Sequence, residues 1–195
     1  MLERLRERFL ADPGDLRAFT ALEEQWFVAG RWDDLVWLYQ HRLGAPDLAK
    51  DAKQRAGVLF RLGQIHAERR GDADAAARCF RDALAASPEQ RPALRELRRI
   101  HASRAQWDLV LQLADLEIAL PMRGEERADL LAETAAIWLR ELRDPEQARE
   151  LLARALSLVP EHPAALEGLA RACEAEGQPR EAALAWERLV ARSRG

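Results

Sequence analysis

Apolar and ring-bearing residues recur along this chain at intervals of three and four, as in Phe19, Leu22, Trp26 and again in Leu94, Leu97, His101. No stretch alternates polar and apolar residues for long enough to make a strand, so the periodicity is that of amphipathic helices. Prolines punctuate the pattern without interrupting it. Pro13, Pro46, Pro88, Pro121 and Pro160 follow helical stretches. Pro145, Pro163 and Pro179 stand where a helix should begin, a slot that tolerates a missing N–H. Asp72 and Asp144 are placed as N-caps, and Gly30, Gly71 and Gly177 mark short turns between helices. The spacing predicts about eleven helices, near 1–11, 15–29, 31–43, 51–69, 72–86, 90–103, 105–119, 124–141, 144–158, 162–175 and 178–192. Tight turns make neighbours antiparallel, and the fold class is all-α.

The chain also repeats itself. Residues 71–88 read GDADAAARCFRDALAASP and residues 143–160, 72 positions on, read RDPEQARELLARALSLVP. Asp, Ala, Ala-Leu and Pro fall at the same offsets. Helix pairs that stack on one another must restate the same contacts at each step, which is why such a chain writes one helix twice.

The unit LFRLGQIHAERRGDADAAARCFRDALAASP resembles a tetratricopeptide repeat (TPR). It carries Leu62-Gly63 in its first helix, Ala76, Phe80 and Ala83 in its second, and Pro88 at its end. Small residues sit where two helices cross closely and large ones fill the gaps towards the next pair. A later unit repeats this with Ala135, Ala148, Leu152, Ala155 and Pro160, and the last keeps Leu169-Ala170, Gly177, Ala182 and Trp186. The resemblance implies a right-handed α-α superhelical solenoid of TPR-like helix pairs: a half-repeat at 1–14, then pairs near 15–50, 51–89, 90–121, 122–161 and 162–195, read together as one domain. The 72-residue interval spans two repeats, because the odd units are a second subtype sharing GRWDDL (30–35) and AQWDLV (105–110). The alternation is similar to modules of long bacterial TPR arrays.

The odd units carry Glu23, Leu35, Arg42 and Arg98, Val110, Glu117 where the family places small residues. A half-buried charge needs a partner, so Glu23 is expected to pair with Arg42 and Arg98 with Glu117.

Composition narrows the function. The formal net charge is −3, which drives the chain onto neither nucleic acid nor an acidic membrane. The basic run at 91–104 belongs to a single helix, whereas an RNA-binding solenoid would repeat such a surface. Apolar runs fall far short of the roughly 20 residues that span a bilayer, and MLERLRERFLA is too charged for the core of a secretion signal. The expected location is the cytoplasm. Abundant Arg and Ala beside only Lys50 and Lys53, with no Asn, point to a GC-rich bacterial source. Cys79 and Cys173 are expected to be buried, reduced thiols. The serines lack a GxSxG or SxxK context, and neither a GxxxxGK loop nor a GxGxxG turn occurs. His66, His101 and Cys173 share one repeat position with Trp26 and Trp138, so that position is a packing slot rather than a metal site. No enzyme, metal or cofactor is expected.

What remains is a binding module holding a peptide or helix of another protein on its concave face. In TPR proteins the first helix of each repeat lines that face. The resemblance carries this onto Glu24, Phe27, Val28, Phe60, Gln64, Arg95, Arg99, Leu139, Arg140 and Arg171, with Thr20, Glu68, Ser103, Ala132, Ala136, Glu167 and Glu174 beside them. Such a wall suits a partner that is acidic and apolar. The carboxylate clamp of chaperone-binding TPR domains, which needs Asn, is absent. Two other readings stand beside this one: a structural or self-associating segment of a larger array, and, more distantly, an RNA-binding repeat. Leu184, Trp186, Leu189 and Val190 cannot all be covered by helix 162–175, so either self-association through this face or a continuation of the parent protein is expected.

Overall fold

The computed structural model describes residues 2–192. Its described residues form eleven α-helices and no strand: α1 Leu2–Ala11, α2 Leu16–Val28, α3 Trp32–Arg42, α4 Ala52–Gln64, α5 Ala73–Ala86, α6 Arg91–Ala102, α7 Trp107–Ala119, α8 Gly124–Arg140, α9 Pro145–Leu158, α10 Pro163–Ala175 and α11 Pro179–Arg192. The expected helix at 51–69 is α4 continued by a π-helical turn, Ile65–Arg69. The chain divides between Arg104 and Ala105 into two compact units.

Helix starts are set locally. The side chains of Asp15, Asp51, Asp72 and Asp144 accept the backbone N–H groups of their first turns, and Pro145, Pro163 and Pro179 open their helices. Those bonds, led by the Ala18 N–H at Asp15 and the Ala75 N–H at Asp72, lower the pKa of both carboxyls. Five helix ends use a left-handed residue: Gly30, Gly71 and Gly177, but also Ala105 (φ 53°) and Arg143 (φ 59°).

In the first unit Phe9, Leu22, Trp26, Leu35, Leu38 and Leu62 build the core. Gly63 of α4 lies against Phe80 of α5, so close that a Cβ there would stand 2.5 Å from the ring. In the second unit Leu131, Ala135, Ala148, Leu152 and Ala155 pack α8 and α9 together with α10. Small residues at the crossings permit this approach.

The expected Glu23–Arg42 pair does not form. Arg42, fully buried, bonds both oxygens of Asp47 at 2.7 and 2.5 Å and the Pro13 carbonyl at 3.2 Å. Glu23 instead accepts a short hydrogen bond from the Tyr39 hydroxyl. The physical reason is the connection 43–51. It tucks Ala45 and Leu48 into the core and so lays Asp47 over Arg42. Arg98 is half-buried in the first unit and Glu117 is fully buried in the second.

On α11, Leu184 (61% exposed) and Val190 (47%) face outward. Trp186 and Leu189 are half-covered, and the Trp186 indole donates to Glu174 at 2.9 Å.

Candidate functional site

Each unit presents its own concavity on first-of-pair helices. In the second unit a groove of about 640 Å³ lies along α8 and α10. Its α8 wall is the stripe Asp129, Ala132, Glu133, Ala136, Leu139, Arg140, with Arg143 just beyond the helix. Spacings of three and four put these residues on one face. From α10 come Ala164, Glu167, Gly168, Arg171 and Ala175. Six expected wall positions meet here: Ala132, Ala136, Leu139, Arg140, Glu167 and Arg171.

One residue fixes the register of the two helices. The His162 imidazole is buried at the start of α10, where Nδ1 accepts the Ala165 N–H at 3.2 Å. Nε2, left carrying the proton, donates to Asp129 Oδ1 at 2.9 Å. Asp129 is thereby level with the N-terminus of α10. The two helices run parallel, each antiparallel to α9 between them.

The groove is therefore polarised. Asp129, Glu133 and Glu167 lie towards the helix starts, and Arg140, Arg143 and Arg171 towards the ends. Glu167 and Arg171 pair with each other at 2.6 Å. Arg140 Nε donates to the Ala136 carbonyl at 3.3 Å. Neither Arg140 nor Arg143 has a carboxylate partner among the described residues. The floor between the charges is alanine, glycine and Leu139, so a ligand backbone can come close.

In the first unit a smaller pocket, about 230 Å³, lies where α2 and α3 meet the end of α4. Glu23 and Tyr39 form its base; Phe27, Arg61, Gln64, Glu68 and Arg69 form its sides. Burial first, and the hydrogen bond to Glu23 second, raise the Tyr39 pKa, so its hydroxyl keeps its proton and donates. Phe27 (52% exposed) stacks edge-on to Trp32 at 5.5 Å, and the Arg69 guanidinium lies over both rings at 5.7 and 5.0 Å. Gln64 accepts from Arg61 at 3.1 Å, and Phe60 packs on Phe80 at 5.5 Å, half-buried. Val28 is 88% exposed, and Glu24 lines a separate hollow along α2 with Leu16, Arg17 and Thr20.

Arg95 and Arg99 are exposed on α6, and Arg99 bonds Glu96 at 2.8 Å. They belong to the first unit, whereas Arg140 and Arg171 belong to the second.

Sequence reasoning missed Tyr39, Arg69, Asp129, Glu133 and Arg143. Asp129 and Glu133 continue the stripe of Ala132 and Ala136 by one helical step, a signal that was present. Arg143 stands 72 positions after Gly71, which marks it as a left-handed turn residue.

Burial raises the Cys79 thiol to about 11 and also raises that of Cys173; both are free and protonated at neutral pH. No group of three or more His, Cys, Asp or Glu among the described residues is set to hold a metal ion. No described helix is long and apolar enough to cross a membrane.

Residues 134–195 match the tetratricopeptide repeat family. No curated protein matches the sequence. Several solved structures share the fold. The MamA protein is 15% identical with a TM-score of 0.65, covering 90% of this chain and 90% of its own. BtubC (BKLC) from P. vanneervenii is 16% identical at 0.61, covering 100% and 88%. YrrB, described as a TPR protein with an unusual peptide-binding site, is 14% identical at 0.64, covering 98% and 93%.

Proposed function

We propose that this chain, a member of the tetratricopeptide-repeat family, is a non-catalytic interaction scaffold whose groove on α8 and α10 holds a peptide or helix of another protein. The observation that carries the reading is the groove itself. It is long, apolar at its floor, edged with charge, and lined by the faces of two parallel helices. Sites that hold a ligand are concave and mostly apolar, with a few polar groups to fix orientation. Such a surface costs the core nothing, because the buried faces of the same helices point the other way. In YrrB, a protein of the same fold, a peptide-binding site is described.

The wall residues act together in this reading. Leu139 supplies apolar area, while Arg140 and Arg171 bind acidic groups of the partner. In the first unit Glu24, Phe27, Val28, Phe60 and Gln64 offer a second contact, and Arg95 and Arg99 a basic one. The partner is another protein, acidic and apolar in part, met in the cytoplasm of a bacterium. Neither nucleic acid nor a membrane takes part.

A second reading has its own observation. Leu184 and Val190 are exposed on α11, an uncovered apolar edge suited to self-association or to the next helix of a longer array.

Affinity capture from the source organism tests the first reading. The Arg140→Glu, Arg171→Glu double variant should lose its captured protein at unchanged helicity and melting. Undiminished capture by the folded variant would move the site to the first unit or to α11.

A further inference from the structure

We propose that the ligand of the α8/α10 groove is an amphipathic helix lying antiparallel to α8 and α10, acidic in its first turns and basic in its last. The inference rests on the groove being the binding site and adds the ligand's conformation, direction and charge order.

Length favours a helix. The helical part of the lining stripe runs from Asp129 to Arg140, about 17 Å at roughly 1.5 Å per residue, which matches about three turns of a ligand helix, and Arg143 extends the rim just beyond it. Charge sets the direction. The acidic end holds Asp129, Glu133 and Glu167, and the basic end Arg140, Arg143 and Arg171. The Asp129 bond to the cap of α10 ties the two helices together at the acidic end of that gradient. A ligand helix that is acidic first and basic last is stabilised by its own dipole. Laid antiparallel, it brings its acids to the arginines and its bases to the carboxylates. The same orientation sets its positive end beside the negative ends of α8 and α10. Laid parallel, it would meet like charge at both ends.

The basic end carries the stronger sign of a missing partner. Arg140 and Arg143 have no carboxylate of their own among the described residues. Arg143 also occupies a left-handed turn position (φ 59°) where the equivalent residue 72 positions earlier is Gly71 (φ 66°). Glycine is the unstrained choice there. An arginine kept in that conformation on the rim of a groove is a residue held at a cost, and anion recognition accounts for it.

The test is selection of displayed peptides of about 18 residues against the full chain. Counter-selection uses an Ala136→Trp variant, which fills the groove floor, and the Arg140→Glu, Arg171→Glu variant. Circular dichroism checks that both are folded. The expected result is enriched sequences with Asp or Glu in their first turns and Lys or Arg in their last. They should be lost on Ala136→Trp and weakened by about tenfold or more on the charge variant. Enriched sequences that are lost on Ala136→Trp but show no charge order, or the reverse order, overturn this inference and leave the groove as the site. Sequences that bind Ala136→Trp as well as the wild type, or no enrichment at all, overturn the groove reading and this inference with it.

Discussion

Gly63 sets how closely α4 and α5 approach. A methyl there would meet the Phe80 ring at 2.5 Å, whereas one on Gly57, in the same helix, would meet nothing within 4 Å. The pair separates packing from helix propensity. Gly57→Ala should stabilise by up to about 1 kcal/mol, the propensity difference alone. Gly63→Ala should lose that gain to overpacking and come out destabilised by roughly 1–2 kcal/mol in urea unfolding. Equal effects at the two sites would show that the crossing is looser than described. At Asp47, the Arg42 hydrogen bond holds the carboxyl at about 2, below the ordinary value near 3.9. A depressed folded-state pKa gives stability that is present above about pH 4 and lost as the pH falls through about 2. Asp47→Asn should therefore lower the unfolding midpoint at pH 6, and the gap from wild type should close between pH 4 and 2. A gap that does not change with pH would deny the ion pair that role. The side chain that binds Arg42 was not legible in sequence. The family pattern sets Arg42 opposite Glu23, but it does not describe the connection 43–51, and that connection supplies Asp47.

The helices themselves were legible because their apolar spacing is helical and many of their boundaries have a local cause. Asp N-caps, Pro at the first position and Gly after the last are short-range chemistry, and they fix α5, α9, α10 and α11 to within a residue or two. At two of the expected turns the left-handed residue is Ala105 or Arg143 rather than glycine. A non-glycine residue in that region costs about 1 kcal/mol. Ala105→Gly should accordingly stabilise by up to about 1 kcal/mol, and Gly71→Ala should destabilise by about as much. Thermal unfolding of both variants checks this, and a stabilising Gly71→Ala would contradict the turn geometry. The 72-residue period reappears at this scale. Arg70 N–H bonds the Ile65 carbonyl and Asp72 N–H that of His66; Leu142 N–H bonds Ile137 and Asp144 N–H bonds Trp138, each group 72 positions on. The turns after α2 and α10 close more tightly, Arg31 to Trp26 and Gln178 to Cys173.

For the whole molecule, periodicity and turn chemistry led to an all-helical chain of stacked pairs, and solved TPR proteins share that fold over most of its length. The groove was legible only in part. Family positions point to Ala132, Ala136, Leu139, Arg140, Glu167 and Arg171. Of the acidic end they reveal only Glu167, because Asp129 gains its place from a bond to His162, 33 residues away. Arg95 and Arg99 share that same pattern of positions, yet they sit on α6 of the other unit, and sequence alone did not separate the two groups. The central claim is that the α8/α10 groove is where a partner protein sits. The most direct measurement replaces Leu139 in the groove, or exposed Arg154 on α9, with a photo-crosslinking phenylalanine analogue and irradiates each variant in an extract of the source organism. The account predicts a discrete protein adduct from position 139 and none from 154. Equal labelling from both positions, or no adduct from 139, would contradict it.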